Sequence, residues 1–192
     1  MNMFKREEYG VVLDFLPRGK AGEAQKEPVA QVIGESYFTI LETVVKADAE
    51  VKVGERLYIG KSTRDKVDHI KGRISYAQLT SSAQSELPEV VRKIVKSRET
   101  DFVNFINRAG PINIRCHALE QLPTIGKKHL TEILDARDRK PFTSFQDIHD
   151  RIPHLGSAED IFVNRIIEEL KETSKYYLFV KMPALHEEGG AY

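Results

Sequence analysis

The chain has 192 residues, and 29 lysines and arginines balance 29 aspartates and glutamates, so its formal net charge is zero. Hydrophobic residues make up 41% of the chain, enough for the core of one or two globular domains, but neutrality argues against binding nucleic acid by bulk positive charge. No apolar run approaches the roughly 20 residues of a membrane span, so we expect no membrane partner. Cys116 is the single cysteine, which excludes a disulfide framework and leads us to expect a cytoplasmic protein.

Residues 1–81 have the pattern of short β-strands. Apolar residues alternate from Tyr9 to Phe15, as in a half-buried strand, and Pro17 follows them. Further strands are predicted at residues 29–34, 37–45, 55–60 and 69–79, with hairpin turns at Gly34-Glu35-Ser36 and Val53-Gly54. Five short strands joined by tight turns predict a small closed or partly open β-barrel, and a fragment of a β-sandwich is the alternative.

Residues 82–175 have a helical pattern. Apolar residues recur at helical spacing from Leu87 to Ile94 and again from Phe102 to Ile106, and Gly110-Pro111 ends the second run. Everything from there to Lys175 is predicted to be helical, and residues 176–192 are predicted to be a terminal strand or tail. The pattern therefore predicts an α+β protein, in which an N-terminal β-barrel is followed by an all-α domain.

A repeat of thirty positions lies inside the helical region. The segment Leu122-Pro-Thr-Ile-Gly126 recurs as Ile152-Pro-His-Leu-Gly156. Each copy is predicted to be a short apolar helix, a turn that ends in glycine and a second amphipathic helix. We expect two αα-hairpins in tandem over residues 111–172, packed together because neither could bury its apolar face alone.

The first hairpin has the features of an anion site. Gly126 can adopt a positive φ and allows a ligand to approach the backbone closely. The helix that begins at Lys127 has no capping side chain, so its free N–H groups would face an anion. In the second copy, Ser157 caps the helix and the acidic start would repel phosphate. The predicted contact residues are Thr124, Ile125, Gly126, Lys127 and Lys128. A purely structural or protein-binding role for both hairpins is the alternative.

A basic stretch lies in the predicted barrel. Six basic and two acidic residues occur between positions 56 and 73, and Tyr58 and Tyr76 lie within and just after this stretch. A basic groove with aromatic platforms is typical of barrels that bind a nucleic-acid strand, whereas a solvated loop with core tyrosines is the alternative. The predicted second contact surface consists of Arg56, Tyr58, Lys61, Arg64, Lys66, Lys71 and Arg73.

The sequence contains no convincing catalytic constellation. The six histidines show no metal-ligand spacing, and no glycine-rich nucleotide motif is present. We therefore expect a protein without catalytic residues, resident metal or nucleotide cofactor. Glu50-Val-Lys52 has the spacing found in many metal-dependent nucleases, with Asp14 as a conceivable partner, so a nuclease remains a third hypothesis.

Part of the helical region resembles tandem helix-hairpin-helix domains. The match is carried by Leu119, Leu122, Pro123, Ile125, Gly126, Lys127, Lys128 and Ile133. The resemblance implies that the domain grips a phosphodiester backbone without reading sequence, and that a monovalent cation can bind the turn carbonyls of the first hairpin. Thr124 and His154 depart from the family pattern, which has glycine at the first turn position.

The whole chain resembles an archaeal family catalogued as domain of unknown function 655. The resemblance is carried by the opening segment from Lys5 to Pro17, by Asn104-Phe-Ile-Asn-Arg108, and by residues 119–128. It implies an oligonucleotide/oligosaccharide-binding-like barrel fused to tandem helix-hairpin-helix motifs. Genes of this family tend to lie beside genes for translation and rRNA modification.

The expected function is non-enzymatic binding of nucleic acid, with RNA favoured over DNA and with ribosomal or transcription components as further partners. The alternative from a different class is a protein-interaction adaptor of the translation or transcription machinery.

Overall fold

The computed structural model describes residues 6–23 and 26–181. In this part the chain is α+β, with a curled five-stranded antiparallel sheet that forms a half-barrel, and five α-helices. The strands of this sheet are β1 (Tyr9–Leu16), β2 (Val29–Gly34), β3 (Ile40–Val45), β4 (Arg56–Tyr58) and β5 (Val67–Arg73).

The strand order is β4-β1-β2-β3-β5, so β4 and β5 form the two edges. Irregular register between Val12 and Asp14 on β1, and two further irregularities between β3 and β5, mark β-bulges that strengthen the curl. Both faces of β1 are covered, because Val12 packs inside the half-barrel and Leu13 packs against the helices. The curl therefore creates one core inside the half-barrel and a second between sheet and helices.

The helices are α1 (Ser81–Ser97), α2 (Glu99–Arg108), α3 (Lys127–Arg139), α4 (Phe145–Arg151) and α5 (Ala158–Leu170). Thr80 caps α1, since its hydroxyl accepts a hydrogen bond from the Ala83 N–H at 3.0 Å. Helix α1 packs against both β1 and α5, and one continuous core joins the sheet to the helical region. None of the helices in the described residues is long and apolar enough to cross a membrane.

Residues 111–117 were predicted to be helical, but they form a two-stranded hairpin of β6 (Pro111–Asn113) and β7 (Cys116–His117). Alternating β-branched Ile112 and Ile114, with Asn113 between them, favour extended backbone over helix. The short helix expected next is a single 3-10 turn, Ala118–Gln121. The two predicted hairpins therefore differ in their first helices, since the second copy has the full helix α4.

Residues 176–181 contain several bends and form no strand, so the strand alternative for this segment is wrong. The carboxylate of Glu169, which is fully buried, accepts hydrogen bonds from the N–H groups of Leu178, Phe179 and Val180 at 2.8–3.0 Å. It also accepts one from the Arg165 guanidinium at 2.9 Å. A buried side chain on α5, and not a neighbouring strand, therefore fixes this segment. The remainder of the predicted tail lies outside the described residues.

His117 caps the 3-10 turn that precedes α3. Its Nδ1 accepts a hydrogen bond from the Leu119 N–H at 3.1 Å, which requires an unprotonated nitrogen. Burial, helped by repulsion from Arg137, lowers the pKa of His117 from the ordinary histidine value of 6.5. In the folded protein the neutral ring is therefore favoured more strongly than in the unfolded chain.

We expect the free energy of unfolding to decrease as the pH falls through about 6.5, because the unfolded chain then binds a proton at position 117 more readily than the folded chain. Urea unfolding at pH 7.5 and pH 5.5 measures this change. His117→Asn should flatten the dependence, since asparagine also caps helices without titrating. His149→Asn, at an exposed position, is the matched control and should retain it. An unchanged pH dependence in the His117 variant would contradict the assignment.

Candidate nucleic-acid interface

The two turns of the repeat share one left-handed residue but differ at the glycine that follows it, since φ is −91° at Gly126 and 87° at Gly156. Thr124 and His154, thirty positions apart, both adopt the left-handed conformation, with φ of 67° and 69°. This conformation is uncommon for residues other than glycine and is an outlier for a β-branched threonine. The repeat seen in the sequence therefore recurs in the backbone at this one position, with threonine and histidine in the conformation that glycine favours.

Gly126 does not use the positive φ that glycine can adopt. Its φ is −91° and its ψ is −173°, because it is the N-cap residue of α3 and N-caps have extended backbone. A Cβ atom at this position would meet no atom within 4 Å. Neither backbone conformation nor packing within the described residues requires glycine here, and the space beside this turn is open.

The start of α3 is exposed, basic and uncapped. Gly126 makes no side-chain cap, and no acidic residue lies in the first turn. The N–H groups of Gly126, Lys127, Lys128 and His129 have no hydrogen-bond partner among the described residues. Lys128 is 85% exposed at its side chain and lies 4.0 Å from Glu132. The start of α3 therefore combines free N–H groups, the positive end of the helix dipole and two exposed lysines.

The start of α5, in the second copy, is already occupied by side chains. The Ser157 hydroxyl accepts a hydrogen bond from the Asp160 N–H at 3.2 Å. Glu159 and Asp160 both pair with Arg92 of α1, at 2.7 Å and 2.6 Å. This helix start is therefore capped, acidic and packed against α1, as a structural partner of the first hairpin would be.

The carbonyl of the first turn that a monovalent cation would contact already accepts one hydrogen bond. The Thr124 carbonyl oxygen lies 3.0 Å from Nδ1 of His129, which must carry a proton for this hydrogen bond to form. A cation at that carbonyl would have to use the second lone pair of the oxygen or replace the histidine proton. The Ile125 side chain is buried, so only its backbone is available to a ligand.

The basic stretch divides into paired and unpaired cations. Arg56 pairs with Glu35 at 2.7 Å, Lys71 pairs with Glu23 at 2.8 Å, and Lys66 pairs with Glu55. By contrast, no carboxylate within the described residues forms an ion pair with the remaining three cations, which are Lys61, Arg64 and Arg73. Half of the predicted cationic surface is therefore neutralised by carboxylates that lie far away in the sequence.

The three unpaired cations border one cleft of about 550 Å³, which we call the β4–β5 cleft. It is lined by residues of both edge strands and of the loop between them. Its cationic residues are Arg6, Lys61, Arg64, Arg73 and Lys181, its apolar and aromatic residues are Leu41, Tyr58, Ile59 and Ile70, and its acidic residues are Glu7 and Glu8. The cleft thus combines an apolar wall with a surplus of three positive charges.

Hydrogen bonds and packing fix the loop that forms the cleft. The Arg64 guanidinium donates to the Gly60 carbonyl at 2.8 Å, and the Ser62 N–H donates to the Tyr58 hydroxyl at 3.2 Å. A Cβ atom on Gly60 would lie 2.4 Å from the Tyr58 hydroxyl oxygen, so the ring position requires glycine there. The Arg73 guanidinium donates to the Lys181 carbonyl, and burial lowers the pKa of Arg73.

Of the residues of the nuclease hypothesis, Asp14 has partners at its side chain, and Glu50 and Lys52 have partners at their backbone. Asp14 accepts hydrogen bonds from the Thr80 hydroxyl at 2.6 Å and from the Phe15 N–H at 2.9 Å. The Glu50 carbonyl accepts one from the Lys66 ammonium, and the Lys52 N–H donates to Glu55. Within residues 6–23 and 26–181, no three His, Cys, Asp or Glu side chains are grouped so that they could hold a metal ion.

Comparison with known proteins agrees with the resemblance stated above. Residues 6–181 match the family described as "Protein of unknown function (DUF655)". The chain belongs to this family. It is 44% identical over 179 residues to the uncharacterized protein MJ0038 of Methanocaldococcus jannaschii, an alignment that covers 92% of this chain and 81% of that protein. The whole-chain resemblance predicted from the sequence is confirmed.

The fold also matches a solved structure of the same family. The crystal structure of Af1531 from Archaeoglobus fulgidus superposes on this chain with a TM-score of 0.84 and 42% sequence identity. The match covers 91% of this chain and 100% of that chain. The α+β architecture is therefore shared along nearly the whole length.

The sequence did not identify Arg6, Glu7 and Lys181 as neighbours of the basic stretch. These residues reach the β4–β5 cleft from the two ends of the described chain. No local pattern marks them, because their approach depends on how β1 and the segment held by Glu169 are placed.

Proposed function

We propose that the chain is a non-enzymatic nucleic-acid-binding protein of the cytoplasm that holds the phosphate backbone without strong sequence specificity. RNA is the preferred nucleic acid in this proposal, following the family resemblance. The half-barrel would be an oligonucleotide/oligosaccharide-binding-like fold, and the two turns would be helix-hairpin-helix motifs. The strand order supports this description, since closing the gap between β4 and β5 would complete a five-stranded barrel.

The observation that carries the proposal is the difference between the two helix starts. Helix α3 presents unpartnered N–H groups beside Lys127 and Lys128, whereas α5 is capped by Ser157 and carries acidic residues. An anion would complete the hydrogen bonding of the first and would be repelled by the second. A phosphate group of a nucleic acid meets this requirement without any contact to a base, so sequence selectivity should be low.

The unpaired cations of the barrel support a second contact with the backbone. No carboxylate among the described residues pairs with Lys61, Arg64 or Arg73, whereas Arg56, Lys66 and Lys71 are neutralised by ion pairs. A chain with zero net charge can bind a polyanion only through such local surpluses. Binding should therefore be of modest affinity and confined to these two surfaces.

A filter-binding titration tests the proposal with single-stranded RNA, hairpin RNA, single-stranded DNA and duplex DNA at about 50 mM and about 200 mM salt. We expect binding that is tightest for RNA and that weakens at the higher salt concentration. A complete lack of binding below about 100 μM protein at low salt would overturn the proposal.

The second candidate is a protein-interaction adaptor, and the β6–β7 hairpin favours it. Ile114 at the tip of that hairpin is 99% exposed, and Ile112 is 37% exposed. Exposed apolar side chains on a projecting hairpin are suited to contact with another protein. An adaptor of this kind would show no nucleic-acid binding in the titration above.

A further inference from the structure

We infer that the β4–β5 cleft binds one unpaired nucleotide, with the base against its apolar wall and the phosphate at its cationic rim. This inference rests on the proposed function and names the part of the nucleic acid that the half-barrel takes. It separates the two surfaces of the protein, because the start of α3 would hold backbone only, whereas the cleft would hold a base as well.

One wall of the cleft is apolar. Tyr58 offers an aromatic ring, and Leu41, Ile59 and Ile70 continue the same lining. A charged phosphate backbone does not bind favourably to an apolar surface, whereas a nucleobase has a flat π-face that stacks on aromatic and apolar side chains. The volume of about 550 Å³ lies within the range of pockets that enclose small organic ligands.

The rim of the cleft carries a surplus of positive charge. Lys61, Arg64 and Arg73 have no ion-pair partner in the part of the chain that the structure describes. Of the two acidic residues in the lining, Glu7 accepts hydrogen bonds from the N–H groups of Ser36, Tyr37 and Thr39 at 2.9–3.1 Å. The negative charge of Glu7 is therefore directed into the β2–β3 turn. The rim of the cleft keeps a surplus of positive charge that a bound anion would compensate.

The loop and the Tyr58 ring of the cleft are preorganised. The loop of the cleft is fixed by the bond from Arg64 to the Gly60 carbonyl and by the bond from Ser62 to the Tyr58 hydroxyl. Tyr9 packs edge-on against Tyr58, with ring centroids 5.3 Å apart. A ring held in this way loses little conformational entropy when a base stacks on it.

These three features together select an unpaired nucleotide over a duplex. In a duplex the base faces are stacked on their neighbours, and only phosphates and groove edges are accessible to a protein. One unstacked nucleotide can place its base against the apolar wall and its phosphate at the cationic rim at the same time. The cleft should therefore favour single-stranded segments, loops and ends.

Isothermal titration calorimetry on the full chain with three probes tests this division. AMP contains base and phosphate, adenosine lacks the phosphate, and ribose 5-phosphate lacks the base. We expect AMP to bind at least about tenfold more tightly than either part. Equal affinity of AMP and ribose 5-phosphate would overturn the inference, because the apolar wall would then contribute nothing.

Variants assign the two halves of the site. Tyr58→Leu should weaken the binding of AMP and of adenosine by about tenfold and leave the binding of ribose 5-phosphate unchanged. Tyr58→Phe should retain the binding of AMP and adenosine, because it keeps the ring. Lys61→Glu should weaken AMP and ribose 5-phosphate but not adenosine. Lys61 is exposed and makes no ion pair among the described residues, so this change does not threaten folding. Lys93→Glu, at an exposed position on α1, is the matched charge control. Unchanged AMP binding in both cleft variants would overturn the inference.

The same variants separate this inference from the proposed function. Lys61→Glu should reduce binding of a single-stranded 12-nucleotide RNA more than binding of a blunt RNA duplex of equal length. If both RNAs bind the wild type, and each RNA binds the cleft variants with the same affinity as the wild type, the inference fails and the proposed function stands. If AMP binds the cleft but no RNA or DNA binds the protein, the cleft assignment stands and the proposed function fails.

Discussion

Replacing Lys127 and Lys128 with glutamate should weaken RNA binding at least tenfold, which corresponds to about 1.4 kcal/mol. The two lysines flank the free N–H groups at the start of α3, and glutamates there would repel the phosphate that those groups would hold. The slope of log affinity against log salt should also become shallower by roughly one to two. Filter binding of RNA over a salt series measures both effects.

The same double change should not weaken the fold. Acidic residues in the first turn of a helix interact favourably with its dipole, by about 0.3–1 kcal/mol each. We therefore expect the thermal midpoint to stay equal or increase while RNA affinity falls. Loss of affinity together with loss of stability would indicate that the lysines act on folding and not on the ligand.

A matched control lies at the other end of the same helix. Arg139→Glu with Lys140→Glu changes the net charge by the same amount at exposed positions near the C-terminus of α3. This variant should keep most of the RNA affinity. A change at Ala158 in the second copy is less suitable as a control, since Ala158 is buried. Equal losses in both α3 variants would show that net charge matters and the helix start does not.

Replacing Glu169 with alanine should lower the free energy of unfolding by about 3–5 kcal/mol. The substitution leaves the buried guanidinium of Arg165 without its carboxylate, and it removes the acceptor of three N–H groups between Leu178 and Val180. This loss is a large part of the 5–15 kcal/mol that typically stabilises a domain. Urea unfolding of the variant measures it.

The neighbouring Glu168 provides the control. It lies 3.9 Å from Arg165, but its side chain is 49% exposed, so Glu168→Ala should cost less than about 1 kcal/mol. Hydrogen exchange gives a local test, because the amides of Leu178, Phe179 and Val180 should lose protection in the Glu169 variant alone. If Glu169→Ala lowers the free energy of unfolding by less than about 1 kcal/mol, residues 176–181 are held by packing of their own side chains and not by Glu169.

The sequence pattern located most of the regular structure. Alternation from Tyr9 to Phe15 marks β1, the glycine turn after Ile33 separates β2 from β3, and the helical spacing after Thr80 marks α1. These signals are local, since strand and helix periods appear within a few residues. Residues 111–117 were assigned wrongly because the surrounding helical pattern was extended over a short segment whose β-branched residues favour a hairpin.

The candidate site was only partly accessible from sequence. The uncapped start of α3 follows from the residue types between Gly126 and Lys128, so it could be predicted and lies exposed as expected. The left-handed residue of the turn could not be placed in this way, since Gly126 is the residue with the strongest preference for positive φ. The structure places that conformation at Thr124 because the N-cap position requires extended backbone at Gly126.

By itself the sequence determined the α+β class, the thirty-residue repeat and the positions of the basic residues, because each depends on residue type and short spacing. Only the tertiary structure decided which of those basic residues carry unpaired charge. Arg56, Lys66 and Lys71 meet carboxylates 21, 11 and 48 positions away, and Lys61, Arg64 and Arg73 meet none among the described residues. Such pairings arise from the curl of the sheet, and no local pattern records them.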